Sequence, residues 1–197
     1  MRASLLLVGV AAAALTLSAC NKSSNPPSAV TPDEKAAVPD AHPAATIPTP
    51  ANEAAAPDFV AKAAASDMFE VASSKIALRR SHNPDIKHFA QMMIDAHTKT
   101  TAGLKAAIAA SGQALTPPAA LPSDLQAKID DLNKAPAADF DKLFMTDQAD
   151  GHQAALDLMQ RYAKDGDVAQ IKAFAADTAP KVQEHLTMAK SLRDGLR

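Results

Sequence analysis

Along the last 140 residues, apolar side chains recur every three to four positions, the period of an amphipathic helix, and no strand-like alternation persists. Four long helices and one short one follow from this pattern. The first covers about residues 58–80. Asn83-Pro84 then breaks the chain, and the proline opens a second helix that runs to about 111, with Gly112 as its cap. A Pro-rich loop, Thr116-Pro117-Pro118 through Pro122, leads to a short helix at about 123–134. The third long helix spans about 137–164 and stops at Gly166. The fourth runs from Asp167 almost to the end, with Pro180 inside it, which should kink or loosen it.

Each apolar stripe carries one ionisable residue. The second helix reads Ile86, Ala90, Met93, His97, Leu104 and Ile108. The third reads Phe140, Phe144, Gln148, His152, Leu156 and Met159, and the fourth Ile171, Phe174, Val182, His185 and Leu192. On the first helix the matching row is Phe59, Ala63, Ser66, Glu70, Ser73 and Ala77. Glu70, His97 and His152 lie near mid-helix, and His185 a few residues past it. The mismatch of three to five residues, at ~1.5 Å per residue, is about 5–8 Å, close enough for one layer.

Joints of about three residues make the first two helices an antiparallel hairpin, and the last two another. About 25 residues separate the hairpins, enough to run back along the bundle as one long crossover. The fold class is therefore all-α: a ferritin-like four-helix bundle with a short extra helix between helices 2 and 3. An up-down-up-down bundle with a bulky loop is the alternative.

Two accounts fit the polar layer. In one it is a hydrogen-bond cluster, with Glu70 accepting from imidazole nitrogens and fixing register. In the other, Glu70, His97, His152 and His185 hold one transition-metal ion, since these ligands suit zinc, copper or iron. Met93 and Met188, one turn from His97 and His185, would be soft ligands for Cu(I), or else core filler. The Glu-x-x-His pairs of di-iron bundles are missing, which disfavours a ferritin-type oxidase. His88, Met92 and Asp95 form a second grouping on a more solvated face. Gly151, inside the third helix, costs about 0.5–1 kcal/mol against alanine unless close packing there requires it. Neither a hydrolase elbow nor a phosphate-binding glycine loop occurs, and no catalytic residues are assigned.

The N-terminal part obeys a different logic. A basic Arg2, an apolar run from Leu5 to Leu17 and small residues up to Ala19 read as a secretory signal over 1–19. Leu17-Ser18-Ala19-Cys20 resembles the lipobox of bacterial lipoproteins, which makes Cys20 the lipidated first residue of the mature chain. It is the sole cysteine, so no internal disulfide forms. Asn21 in place of Asp leans towards the outer membrane, facing the periplasm. Eight of the fourteen prolines fall in 21–57 and large apolar residues are nearly absent there, so 20–57 reads as a lipidated cysteine and a disordered tether, and 58–197 as one helical domain. The formal charge is −2 and no basic patch is interleaved with aromatics, which argues against nucleic acid as a partner. The membrane, through Cys20, is the expected contact; a protein partner is not identified.

Three segments, MIDAHTKT at 93–100, DFDKLFMTDQADGHQAALDL at 139–158 and IKAFAADTAPKVQEHLTMAKSL at 171–192, join FEVASSKIALRR of the first helix in a recognisable order. Together they resemble the secreted bacterial domain-of-unknown-function family 4142. The resemblance implies a ferritin-like helical bundle and no reaction. The combined reading is a lipid-anchored, periplasm-facing bundle that binds a ligand or metal, or supports the envelope, without catalysis. The alternative is a metal-handling or redox protein built on the Glu/His layer.

Overall fold

The computed structural model describes Asn52 and residues 54–196. Cys20, its signal and almost all of the expected tether lie outside the described residues. Five helices follow in order: α1 (Ala56–Arg80), α2 (Pro84–Ser111), α3 (Ser123–Lys134), α4 (Ala137–Asp165) and α5 (Ala169–Gly195). Among the described residues no helix is long and apolar enough to cross a membrane.

Local chemistry sets most of the boundaries. Asn83 accepts from the backbone N–H groups of Asp85 and Ile86, and Pro84 opens α2. Gly112 ends α2 in the left-handed region at φ 67°, where a side chain is disfavoured. α1 begins at Ala56, two residues before the expected start, and α5 begins at Ala169, two residues after it. One residue causes both shifts. The Asp167 carboxylate accepts from the Ala56 N–H and from the Tyr162 hydroxyl, each at 2.9 Å, and the Asp167 N–H donates to the Ala54 carbonyl at 3.2 Å. Asp167 is thus occupied in a clasp between chain segments, and Val168, in extended conformation, precedes α5 instead.

α5 runs unbroken through Pro180. Both Pro180 and Ala176, whose carbonyl loses its helical donor, are exposed, so water can meet that carbonyl.

α1 packs beside α2 and α4, and α5 beside α4 and α2. The first turn of α1 meets the last turns of α4, where Phe59 and Tyr162 stack with ring centroids 4.1 Å apart. At the opposite end Arg80 lies 4.7 Å over the Phe140 ring and donates to the carbonyls of Leu132 and Ala135. α1 and α4 are therefore antiparallel. α2 and α4 then run the same way, and the chain between them must cross back along the bundle, carrying α3 against α1 and α4. This is the ferritin-like connection; the up-down-up-down alternative is excluded.

The apolar core falls into two main clusters. One gathers Ile76, Ile86, Phe89, Met93, Phe140 and Phe144; the other gathers Phe59, Val60, Leu104, Met159, Tyr162 and Ile171. Between them in sequence, on all four long helices, lie buried polar residues.

Gly166 ends α4 for a reason other than the one its position suggests. Its φ is −60°, accessible to any residue. A Cβ there, however, would stand 2.5 Å from the Tyr162 ring and 2.6 Å from the Tyr162 carbonyl oxygen. Gly166→Ala should displace Tyr162 from Phe59 and Asp167 and cost about 1–3 kcal/mol, the usual range for overpacking. A denaturant melt measures this; an unchanged midpoint would show that the ring moves aside freely.

Candidate metal centre

The polar layer is assembled from the middle of each long helix. The rings of His97 on α2, His152 on α4 and His185 on α5 approach with centroids 5.5, 6.0 and 5.6 Å apart. Glu70 on α1 lies behind His152, with Oε1 3.7 Å from His152 Nδ1. The three rings thus converge, and Glu70 approaches one of them, His152.

The hydrogen bonding differs from the expected cluster. Glu70 does not accept from His152, because His152 Nδ1 donates to the Gln148 carbonyl at 2.8 Å. A carbonyl only accepts, so that bond fixes the tautomer: Nδ1 carries the hydrogen, and Nε2 of the neutral ring presents a lone pair. His97 is oriented by a residue that the expected row does not contain. Its Nδ1 lies 2.8 Å from Oδ1 of Asp67, whose Oδ2 accepts from the Thr101 hydroxyl at 2.8 Å. Asp67 is four residues after Ala63 and three before Glu70, so helical spacing does put it on the inner face. The expected row ran through Ser66, one position away.

His97 Nε2, His152 Nε2 and His185 Nδ1 are buried and have no hydrogen-bond partner. One nitrogen from each of the three rings can be chosen so that all lie within 4.8 Å of one another. Zn–N bonds of about 2.0–2.1 Å place tetrahedral nitrogens about 3.3 Å apart, so the rings would close by at most roughly 1.5 Å on a bound ion. Imidazoles held from behind by a carboxylate or a carbonyl, with the other nitrogen free, match the usual support of histidine metal ligands.

The remaining candidates stand outside this triangle. Glu70 is not part of the three-nitrogen group. Met93 is buried in the apolar cluster with Phe89 and Phe144. Met188 is 36% exposed and faces outwards, so the expected soft ligand on α5 is not presented to the layer. Residues three before the histidines are Ile94, Ala149 and Val182, so the carboxylates of a di-iron centre are lacking.

A cavity of about 790 Å³ between α2 and α5 reaches the layer and is lined by Asp67, His97 and His185. His88, Met92 and Asp95, read as a solvated grouping, line the same cavity. Gly151 also finds its reason here: a Cβ at that position would lie 3.2 Å from Glu70 Oε1.

Burial dominates the electrostatics. It pushes the Glu70 carboxyl up to about 7, against the lowering influence of His97 and a hydrogen bond from Gln148. Burial, followed by the charge of His97, lowers His152 to about 4. Burial, followed by His152 and His97, lowers His185 to about 4. His97 is also pulled down by burial, but its hydrogen bond to Asp67 and the charges of Glu70 and Asp67 outweigh this and raise it.

A family profile described as "Domain of unknown function (DUF4142)" matches residues 41–192, most of the chain. The protein belongs to the DUF4142 family. No curated protein and no solved structure matches the chain. The DUF4142 match spans every residue of the polar layer and both hairpins up to the last turn of α5.

These protonation preferences set the pH profile of metal-free DUF4142 protein. Glu70 keeps its proton to about pH 7 when folded and to 4.5 when unfolded, so its contribution to stability falls as pH rises through that window. His152 and His185 act oppositely: folded near 4 and unfolded at 6.5, they lose stability as pH falls from 6.5 towards 4. Two histidines oppose one carboxyl, so stability should rise with pH between those limits. His97, being raised, contributes stability below 6.5 and loses it as pH climbs further. Urea midpoints of chelator-treated protein should therefore peak near pH 6.5, and Glu70→Gln should steepen the acid limb. A flat profile would contradict a buried layer of this charge pattern.

Proposed function

We propose that this DUF4142 protein is a lipid-anchored envelope protein whose bundle binds a single transition-metal ion through His97, His152 and His185. One observation carries the reading. Three imidazoles converge in the bundle interior, each with a nitrogen that has no partner, and on two of them the other nitrogen is already engaged. Neutral imidazole suits zinc and copper(II), and the exposed position of Met188 gives no support to a thioether site for Cu(I). Three protein ligands leave a coordination position free, and the cavity between α2 and α5 offers a route for an ion or an exogenous ligand to reach it.

Elemental analysis tests the reading. Full-length protein equilibrated with zinc or copper(II) chloride and then desalted should retain one ion per chain, and His152→Ala should lose it. Asp67→Asn, which keeps shape but removes the charge behind His97, should weaken affinity about 10–100-fold. Wild-type protein that takes up neither metal, yet is destabilised by His152→Ala, would reduce the layer to internal hydrogen bonding.

The location rests on the leader sequence. Leu17-Ser18-Ala19-Cys20 supports acylation at Cys20, and two or more chains at about 0.8 kcal/mol per buried methylene anchor stably. Asn21 supports an outer-membrane position facing the periplasm, with the proline-rich segment as spacer. Cys20→Ser should shift the protein from the membrane to the soluble fraction; mass spectrometry showing an unmodified Cys20 on membrane-bound protein would refute the anchor.

A further inference from the structure

A second cavity, about 550 Å³, lies between α1 and α4 and shares Ser66, Ala155 and Leu158 with the lining of the histidine cavity. The crossover closes one side of it with Pro118, Pro122 and Leu125, and Ala65, Phe69 and Leu158 contribute apolar wall. Glu70 lines this cavity and not the histidine one, whereas His97 and His185 line the histidine cavity and not this one.

Glu70 is 1% exposed, and its Oε2 has no hydrogen-bond partner. A buried carboxyl oxygen without a donor is costly, so such an atom on a residue that lines a cavity marks a place where a donor would be gained. Gly151, also in the lining, leaves Glu70 the room it occupies. The surrounding charge has one sign in excess. Asp124, Asp147 and Asp150 join Glu70 in the lining against Lys62 and Lys128, and Lys128 is bonded to Asp147.

The geometry points to a binding site for a small amphiphilic amine, its ammonium head donating to Glu70 Oε2 and its alkyl or aryl body against the apolar wall. An ammonium supplies both the donor and the positive charge that the lining lacks. An alcohol supplies only the donor, and a carboxylate supplies neither and is repelled. The cavity volume lies within the range of small-molecule sites, roughly 300–1,000 Å³. The site does not depend on metal at the histidines.

The full chain carrying Cys20→Ser, kept in chelator, would be titrated by calorimetry with n-octylammonium chloride, 1-octanol and sodium octanoate. Octylammonium should bind saturably at one per chain, 1-octanol at least tenfold more weakly, and octanoate not at all. Glu70→Gln should weaken octylammonium at least tenfold and remove its advantage over octanol. If that variant folds poorly, Leu125→Arg on α3 places a cation at the mouth without altering Glu70 and should abolish octylammonium binding. Magnetisation transfer from the bound alkyl chain should reach Phe69. Non-saturable uptake, equal binding of octanoate, indifference of folded Glu70→Gln, or transfer to Phe174 of the histidine cavity instead would each overturn the proposal.

Discussion

The contact on which the site depends is the bond between Asp67 and His97, 2.8 Å long and buried on both sides. A carboxylate at 4% exposure is tolerable only when its oxygens are engaged, and here both are: one by His97 and the other by Thr101. Two partners on α2 thereby set the α1–α2 hairpin in register. The same bond occupies Nδ1 and leaves Nε2 as the nitrogen without a partner, on a ring that neighbours His152 and His185. His97 is the only histidine of the three that is raised rather than lowered, because its bond to Asp67 and the charges of Glu70 and Asp67 outweigh burial. Without that anchor the ring would lie between two apolar clusters with neither nitrogen satisfied.

The register between α1 and α4 is set at the two ends and inherited by the middle. Phe59 stacks on Tyr162 at one end, and Arg80 covers Phe140 at the other. Eleven positions along α1 from Phe59 lead to Glu70, and eleven back along α4 from Tyr162 lead to Gly151. Glu70 and Gly151 are indeed in contact range. The glycine beside His152 is thus where an antiparallel pair pinned at its ends must place the Glu70 carboxyl. Its helix-propensity cost is offset by room for a polar group that has nowhere else to go.

Periodicity revealed the fold because helix burial is a one-dimensional signal. The stripes of α2, α4 and α5 place His97, His152 and His185 on inner faces, and proline and asparagine at 83–84 and glycine at 112 mark ends through purely local chemistry. What stayed hidden depends on contacts between distant segments. Asp167 looks like a helix start, but its carboxylate serves Ala56 and Tyr162. Gly166 looks like a left-handed cap, but the Tyr162 ring demands its bare Cα. Met188 follows His185 by three residues, yet a helical face is broad enough that one edge of it can be solvent, and Met188 is on that edge. On α1 the error was one position: Ser66 and Asp67 both lie within a turn of Glu70, and only the three-dimensional packing shows which one reaches His97.

The unpaired atoms of the layer share a chemical character that distinguishes it from an ordinary buried network. A structural cluster closes on itself by matching donors with acceptors. Here His152 Nε2 is a lone pair by tautomer, Gln148 Oε1 is an acceptor by constitution, and an ionised Glu70 Oε2 is another. His185 Nδ1 and His97 Nε2 add two more nitrogens without partners. Acceptors cannot satisfy one another, and the donors left are few: a second proton on His97, the Glu70 proton below about pH 7 and the Ser74 hydroxyl. With Glu70 ionised the interior is rich in acceptors and short of positive charge, and it borders on two cavities. A metal cation at the imidazoles and an ammonium at Glu70 are two ways of meeting that same deficit. In both, the ligand brings the missing charge to groups whose geometry the helices have already fixed.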